Sequence, residues 1–504
     1  MSENLTSRTF AGLKWSYISV AVNSVFQIGL TAILARLLDP ATFGLVAMAG
    51  IVLRFGGYFA QMGVGSALIQ KEKLTETDIR AAFTSSVLLG AMFSGLTYFL
   101  APFALYIFDS AAVVPVIQVM GISFTLNGFS TTALSLLRRR LNFRWISIIE
   151  VLSYVIGYGL GGVILALSDF GVWSLVIAGL TQAALTVVLA LLYERHALLP
   201  YWHPGTHKEL ISFGGRISII SFLEFIGFNV DTIVIGRVWG ATVLGVYSRS
   251  FAIVNLPVQY LAVTFSKVLF PSFAQTQKYP DRLGNAYYVG MMLISVVAMP
   301  VSFGMIPAAP ELVLTLLGSQ WVEGIILLQI LAVMVPFTMA TILPGIICDS
   351  TGKLKAKFYL QLGFVVSMIG LIAGLYSFGI EVIAGTVVAA NIARFVAYQV
   401  LMRRMNVSTY GSMLQSQVPG ILVSLCVILP VVCMRWLFQG LPVVSLLVLE
   451  IIAGASMFAS FVLVKPPRML RDVVREIIPR LASDSQESLA GKLLQWYGKR
   501  VLYI

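Results

Sequence analysis

Residues 112–168 read AVVPVIQVMGISFTLNGFSTTALSLLRRRLNFRWISIIEVLSYVIGYGLGGVILALS: two apolar runs, approximately 112–136 and 146–168, held apart by Arg138, Arg139, Arg140 and Arg144. Each run is long enough to cross a hydrocarbon layer of about 30 Å as an α-helix. Neither alternates apolar and polar residues in the short segments of a membrane β-barrel. Both are predominantly apolar, the first interrupted by Pro115 and Gly and the second by Gly, as in membrane helices. The stretch is two membrane passes joined by a basic connection.

Working outward, the same pattern fills the chain. Towards the N-terminus, runs lie at approximately 12–37, 42–68 and 82–107. Towards the C-terminus they lie at 171–193, 209–235, 242–269, 284–307, 325–347, 357–379, 381–402, 417–437 and 442–464. Composition agrees: 58% of the 504 residues are hydrophobic and only 11% charged, with mean hydropathy +0.90. A soluble protein would carry roughly a quarter charged residues. The expected fold class is therefore all-α integral membrane, with about 14 transmembrane helices. The opening MSENLTSRTFAGLKW has no small-residue cleavage site after a short apolar core, so the first span is read as retained.

Charge alternates along the connections. After even-numbered spans come Lys71/Lys73/Arg80, the arginine cluster quoted above, Arg195/Lys208, Lys267/Lys278/Arg282, Lys353/Lys355/Lys357 and Arg403/Arg404. Connections after odd-numbered spans hold almost none, apart from Arg36, Arg237 and Arg435 near helix ends. By the positive-inside rule both termini are cytoplasmic. The net charge of +12 thus reflects orientation in a membrane, and nucleic-acid binding is not expected.

The halves resemble each other. LARLLDPATFGLVAM ends the first span and IGRVWGATVLGVYSR ends the seventh; Arg36 and Gly44 match Arg237 and Gly245 at an offset of 201. Internal repeats of this kind are typical of transporters. The expected organisation is an N-terminal lobe (1–196, spans 1–6), a cytoplasmic linker (197–208) and a C-terminal lobe (209–405, spans 7–12). Two additional spans (406–464) and a basic cytoplasmic tail (465–504) follow. The tail, with Arg between apolar residues at helical spacing, reads either as lying on the anionic leaflet or as a solvated helix.

Charges inside spans are the informative exceptions, because burial in lipid is costly unless a wet cavity or a partner receives them. Arg54, Arg249 and Arg394 are read as substrate-binding candidates: a guanidinium stays protonated and makes bidentate bonds to phosphate oxygens. Arg216 reads as an interface residue. The structural alternative pairs Arg54 or Arg249 with Glu224 or Asp231. Those two carboxylates, with Asn23 and Asn255, form a second group of candidates for ion coupling or for a polar cavity wall. At the 201 offset Glu224 matches Asn23, and Arg54 matches Asn255. For Asp231, pairing with Arg237 or Arg249 is the plainer reading. Gln27, Gln61, Asn127, Gln259 and Asn391 are polar positions that would suit a path for sugars or bonds between helices.

Enzyme chemistry is not expected. The chain has no P-loop; Cys348, Cys426 and Cys433 lack metal-ligand spacing, and His196, His203 and His207 have no Cys or paired carboxylates beside them. No metal or cofactor is implied, and no long extracytoplasmic loop offers room for a glycosyl-transfer site.

Several stretches together resemble a known family. KWSYISVAVNSVFQIGLTAILARLLDPATFGLVAM, MGVGSALIQKEKLTETDIRAAF and LSLLRRRLNFRWISIIE carry the likeness in the first half. In the second half it rests on DTIVIGRVWGATVLGVYSRSFAIVNLPVQ, KVLFPSFAQTQ and GSQWVEGIILLQILAV. They are similar to the polysaccharide transporter family of the multidrug/oligosaccharidyl-lipid/polysaccharide exporter superfamily, nearest its colanic-acid and succinoglycan exporters.

The resemblance implies two six-helix lobes in a V shape, two further helices and alternating access. It also implies a substrate: undecaprenyl-diphosphate-linked repeat units, flipped across a bacterial inner membrane for exopolysaccharide synthesis. Membrane lipids, a periplasmic polymerase and chain-length or export proteins are the partners it would bring. Arg54 occupies a place similar to a cavity arginine on the second helix of lipid II flippases. The rival readings are a multidrug or cation antiporter, which would want an acidic, aromatic-lined cavity, and a membrane polymerase, which would want a long loop with acidic residues.

Overall fold

A computed structural model describes residues 22–61, 63–202, 225, 227, 229–259 and 280–463. Among these residues the chain is helical, with no strand. Among the described residues twelve helical runs are long and apolar enough to cross a membrane, and a shorter apolar helix, Val22–Leu37, precedes them. The protein is an all-α, multi-pass membrane protein. Glu224, Arg216, His203, His207 and the tail from 465 lie outside the described residues.

The described run Asn229–Gln259 covers parts of the expected seventh and eighth spans. It is not one rod, because Gly240 has φ 76°. Only glycine enters this left-handed region without penalty, and an α-helix cannot pass through it. Tyr247 reaches back to bond Asp231 at 2.5 Å. Along a straight helix those residues would stand about 24 Å apart, so the chain reverses at Gly240. The matching turn between the first two helices is built differently: Asp39 Oδ1 accepts from Thr42 N at 2.8 Å, capping helix Pro40–Gln61.

Local chemistry explains the other irregularities. Thr75 and Asp78 form a reciprocal capping box at the start of helix Glu76–Leu100. Pro102 sits in a short 3-10 turn, after which the chain continues helically to Phe108. In helix Phe143–Leu167 the glycine-rich stretch Val155–Gly162 is a π-helix.

The chain divides into two compact units, Met1–Arg249 with Leu316–Trp321, and Ser250–Thr315 with Val322–Ile504. In the first, the repeat is visible as packing. A Cβ on Gly44 would overlap Ala241 O, and one on Gly245 would overlap Pro40 O. Pro40 matches Ala241, and Gly44 matches Gly245, at the 201 offset. The two contacts are therefore the same contact seen twice across a pseudo-twofold. Ala35 and its match Gly236 are also closely packed, but against partners that the repeat does not match: Trp321 Nε1 donates to Ala35 O at 2.8 Å, and a Cβ on Gly236 would touch Phe108 at 3.1 Å.

The basic connections do more than set orientation. Arg139 Nη1 donates to Leu68 O at 2.8 Å, with Ile69 O and Lys71 O also in reach, closing the C-terminal end of short helix Val64–Gln70. Arg140 pairs with Glu194 at 2.9 Å. Burial pushes the Glu194 carboxyl up from its ordinary range, and Arg140 and His196 pull it partly back. His196 packs edge-on against Phe83 at 5.2 Å. The start of the linker is tethered as well, with Arg80 donating to Leu199 O and Pro200 O.

Candidate substrate site

Arg54 stands in a helix with no other charged residue, Pro40–Gln61. Its Nη2 donates to Asn229 Oδ1 at 3.3 Å, and Asn229 Nδ2 donates to Phe225 O at 2.8 Å. That second bond fixes which way the amide faces. Phe225 is wedged beside Tyr58 and Phe55, at ring distances of 5.7 and 6.4 Å. The guanidinium is thus positioned from one side by a neutral amide and stays exposed on the other. Its remaining N–H donors are free among the described residues to meet an anion.

Asp231 lies two residues beyond Asn229 and is 3% exposed. Sequence reasoning paired it with Arg237 or Arg249; the structure gives it neutral partners. Tyr247 Oη donates at 2.5 Å, Thr232 N at 2.7 Å and Thr232 Oγ1 at 3.3 Å. Arg237 donates instead to Tyr106 O at 2.7 Å. The chain reversal at Gly240 is the reason: it lays Tyr247 over Asp231.

Arg249 does not join Arg54. Its guanidinium lies 5.0 Å over the Phe43 ring. Its Nε is buried with no hydrogen-bond partner among the described residues. Asn23 is half-buried near the start of helix Val22–Leu37.

Asn255 and Arg394 belong to the second unit. Asn255 is half-buried. Arg394 Nη2 donates to Thr341 Oγ1 at 3.1 Å and stacks 5.1 Å over Phe364. Asn391, one turn earlier, accepts from Thr338 at 3.3 Å. These bonds tie helix Ile380–Arg404 to helix Gly324–Ser350, the interhelical role.

Sequence reading passed over Glu450, the only ionisable residue of helix Val443–Leu463. It is 1% exposed and faces a cavity of about 450 Å3 whose other walls are apolar. Neither carboxylate oxygen has a hydrogen-bond partner among the described residues. Arg435 is engaged with Glu311 at 3.5 Å and Pro307 O at 3.1 Å. The signal was a lone carboxylate in an otherwise apolar run. Asn229 and Tyr247 offered none, because their roles arise from the turn at Gly240.

Comparison with known proteins settles the family. The model of a family described as polysaccharide biosynthesis protein matches residues 33–326. The chain belongs to that family. Among its relatives, succinoglycan biosynthesis transport protein ExoT of Rhizobium meliloti (strain 1021) is 31% identical over 60% of this chain and 62% of its own length. Teichuronic acid biosynthesis protein TuaB of Bacillus subtilis (strain 168) is 23% identical over 62% and 65%, respectively. Lipopolysaccharide biosynthesis protein WzxC of Escherichia coli (strain K12) is 22% identical over 62% and 64%. The chain thus spans just under two thirds of the length of the curated relatives it matches.

The fold is shared more widely. Lipid II flippase MurJ in an inward closed conformation superposes with TM-score 0.69 at 13% identity, over 90% of this chain and 98% of that one. An inward-facing multidrug resistance MATE family transporter of the MOP superfamily gives 0.62 at 15% identity, over 76% and 94%. The family member therefore has the transporter fold that its sequence motifs implied.

Proposed function

We propose that the chain flips undecaprenyl-diphosphate-linked oligosaccharide repeat units across a bacterial inner membrane, for exopolysaccharide or capsule-type synthesis. The observation that carries this is Arg54: a guanidinium in a membrane helix, held by one neutral amide, with its other donors open. Relatives named for succinoglycan transport and lipopolysaccharide synthesis support the glycan class. The MurJ-like fold suits a lipid-linked cargo.

The physical task is to move a pyrophosphate and several sugars through hydrocarbon, where each unsatisfied polar group costs several kcal/mol. Arg54 replaces lost hydration at the pyrophosphate by charge-assisted hydrogen bonds. Arg249 is a second anion candidate. Asp231, Asn23, Asn255 and Glu224 are candidates for polar lining or ion coupling. Arg394, bonded to Thr341, is the weakest anion candidate of the set. Alternating access by lobes 1–196 and 209–405 moves the site between leaflets, and no bond in the cargo is made or broken. Both termini are cytoplasmic, and a periplasmic polymerase takes the product.

The test is leaflet accessibility of undecaprenyl-linked sugars in cells lacking the protein, with wild type or Arg54→Ala restored at equal level. Cytoplasm-facing repeat units should accumulate in the deletion strain and clear with wild type but not with the variant. An unchanged leaflet distribution in a deletion strain without a redundant flippase would overturn the reading and favour an antiporter.

A further inference from the structure

In the first unit, helices Val113–Arg139, Phe143–Leu167 and Val172–Tyr193 line a half-open cavity of about 300 Å3. Its polar wall comes from Ser123 and Asn127, one turn apart, from Tyr158, and from Gln182 and Thr186, again one turn apart. Thr186 Oγ1 is engaged by Gln182 O at 2.9 Å. The Ser123 hydroxyl, the Asn127 and Gln182 amides and the Tyr158 hydroxyl make no hydrogen bond to another described residue.

The backbone is shaped to bring these groups together. Tyr158 stands on the π-helical stretch Val155–Gly162, a feature concentrated at functional sites. Gly157, in the same stretch, lets the two helices approach: a Cβ there would lie 2.9 Å from Gln182 Cβ. That approach sets Tyr158 beside Gln182.

These four polar groups converge on the cavity without a hydrogen-bond partner among the described residues; three are half-buried and Asn127 is exposed, so all are accessible to a polar occupant. The chemistry of the wall restricts what that is. Two carboxamides and two hydroxyls offer donors and acceptors of both kinds, with no ionised side chain among them. A row of sugar hydroxyls, each donor and acceptor at once, matches this inventory. A phosphate or a metal ion does not. The rest of the wall is apolar and suits the C–H face of a ring.

We propose that this cavity is a sugar subsite that takes one neutral pyranose ring. That the ring belongs to the lipid-linked cargo rests on the flippase reading above; the binding chemistry does not.

The test is saturation-transfer NMR on the full-length protein in nanodiscs, with methyl glucopyranoside and methyl galactopyranoside as probes and glucuronate as the charged comparison. Transfer to at least one neutral pyranoside is expected, stronger than to glucuronate. It should vanish in Gln182→Leu and in Gly179→Leu, whose side chain would grow into the cavity beside Tyr158 Oη. Gly179→Ala favours the helix and places one methyl 3.3 Å from that hydroxyl, so it should weaken transfer even if the leucine variants fail to fold. No transfer to either pyranoside, or equal transfer in wild type and variants, would mean water alone fills the cavity and would overturn the proposal. The leaflet assay separates the two readings. Sugar binding with an undisturbed leaflet distribution in the deletion strain refutes the flippase and keeps the subsite. Absent binding, with flipping unchanged in Gln182→Leu, refutes the subsite and keeps the flippase.

Discussion

Gly44 and Gly245, matched in sequence by the internal repeat, touch in space: a Cβ on Gly245 would lie 3.2 Å from Gly44 N and overlap Pro40 O. In an ordinary helix interior, Gly→Ala is favourable by about 1 kcal/mol. Here the sign should invert, because the methyl meets rigid backbone and not the end of a side chain. Gly44→Ala and Gly245→Ala should each lower stability by about 1–3 kcal/mol, read as a drop in melting temperature of the purified protein in detergent. Equal or higher melting temperatures would show that the two helices do not pack this closely.

The Asp231–Tyr247 bond makes a second prediction. Tyr247→Phe removes the 2.5 Å donor and leaves a buried carboxylate oxygen unsatisfied, costing about 1–3 kcal/mol. Asp231→Asn should be milder, since an amide can still accept from Thr232 and donate to Tyr247. If the bond acts as a unit, the double variant will lose less than the sum of the singles. Thermal unfolding of all four proteins closes the cycle, and strict additivity would argue against the contact.

These cases also show what the sequence could and could not tell. Span positions and the alternation of Lys and Arg follow from hydrophobicity and charge, which are local and additive, so the all-helical membrane fold was readable. The 201-residue offset picked out Gly44 and Gly245, yet only the coordinates reveal that the matched residues pack on each other. Arg54 was legible as a charge in an apolar helix. Its partner Asn229 was not, because that pairing joins residues 175 apart. The expected arginine partner for Asp231 followed from proximity in sequence. A turn at one glycine redirected it to Tyr247. Arg394 met the same rule as Arg54 but lies over Phe364 and donates to Thr341, a difference in surroundings that no span-level pattern encodes.

Glu450 predicts a gain from removal. Both its oxygens lack donors among the described residues, and its surroundings are apolar. Replacing a poorly satisfied buried charge by an apolar side chain of similar volume is often stabilising by about 1–4 kcal/mol, so Glu450→Met should raise the melting temperature. Arg435→Ala should lower it, because Glu311 then loses its counter-charge; the half-exposed arginine limits that effect to about 1 kcal/mol. If Glu450→Met melts higher but fails to restore polysaccharide output in a deletion strain, the carboxylate serves transport and not folding. A lower melting temperature would show that Glu450 has a partner after all.

Arg54 and Asn229 should separate charge from geometry. Arg54→Lys keeps a positive charge but loses the planar fork that grips two phosphate oxygens at once. If a pyrophosphate is the cargo's head, Arg54→Lys should fall well below wild type in flipping rate, by about tenfold for the loss of a charge-assisted hydrogen bond, and Arg54→Ala lower still. Asn229→Ala leaves the guanidinium intact but removes its 3.3 Å anchor, so it should reduce flipping less than either and leave melting temperature nearly unchanged. The rates come from the leaflet assay at matched membrane levels. Wild-type flipping by Arg54→Lys would mean that only charge matters, as for long-range attraction. Loss of flipping in Asn229→Ala as deep as in Arg54→Ala would mean that the amide itself contacts the cargo.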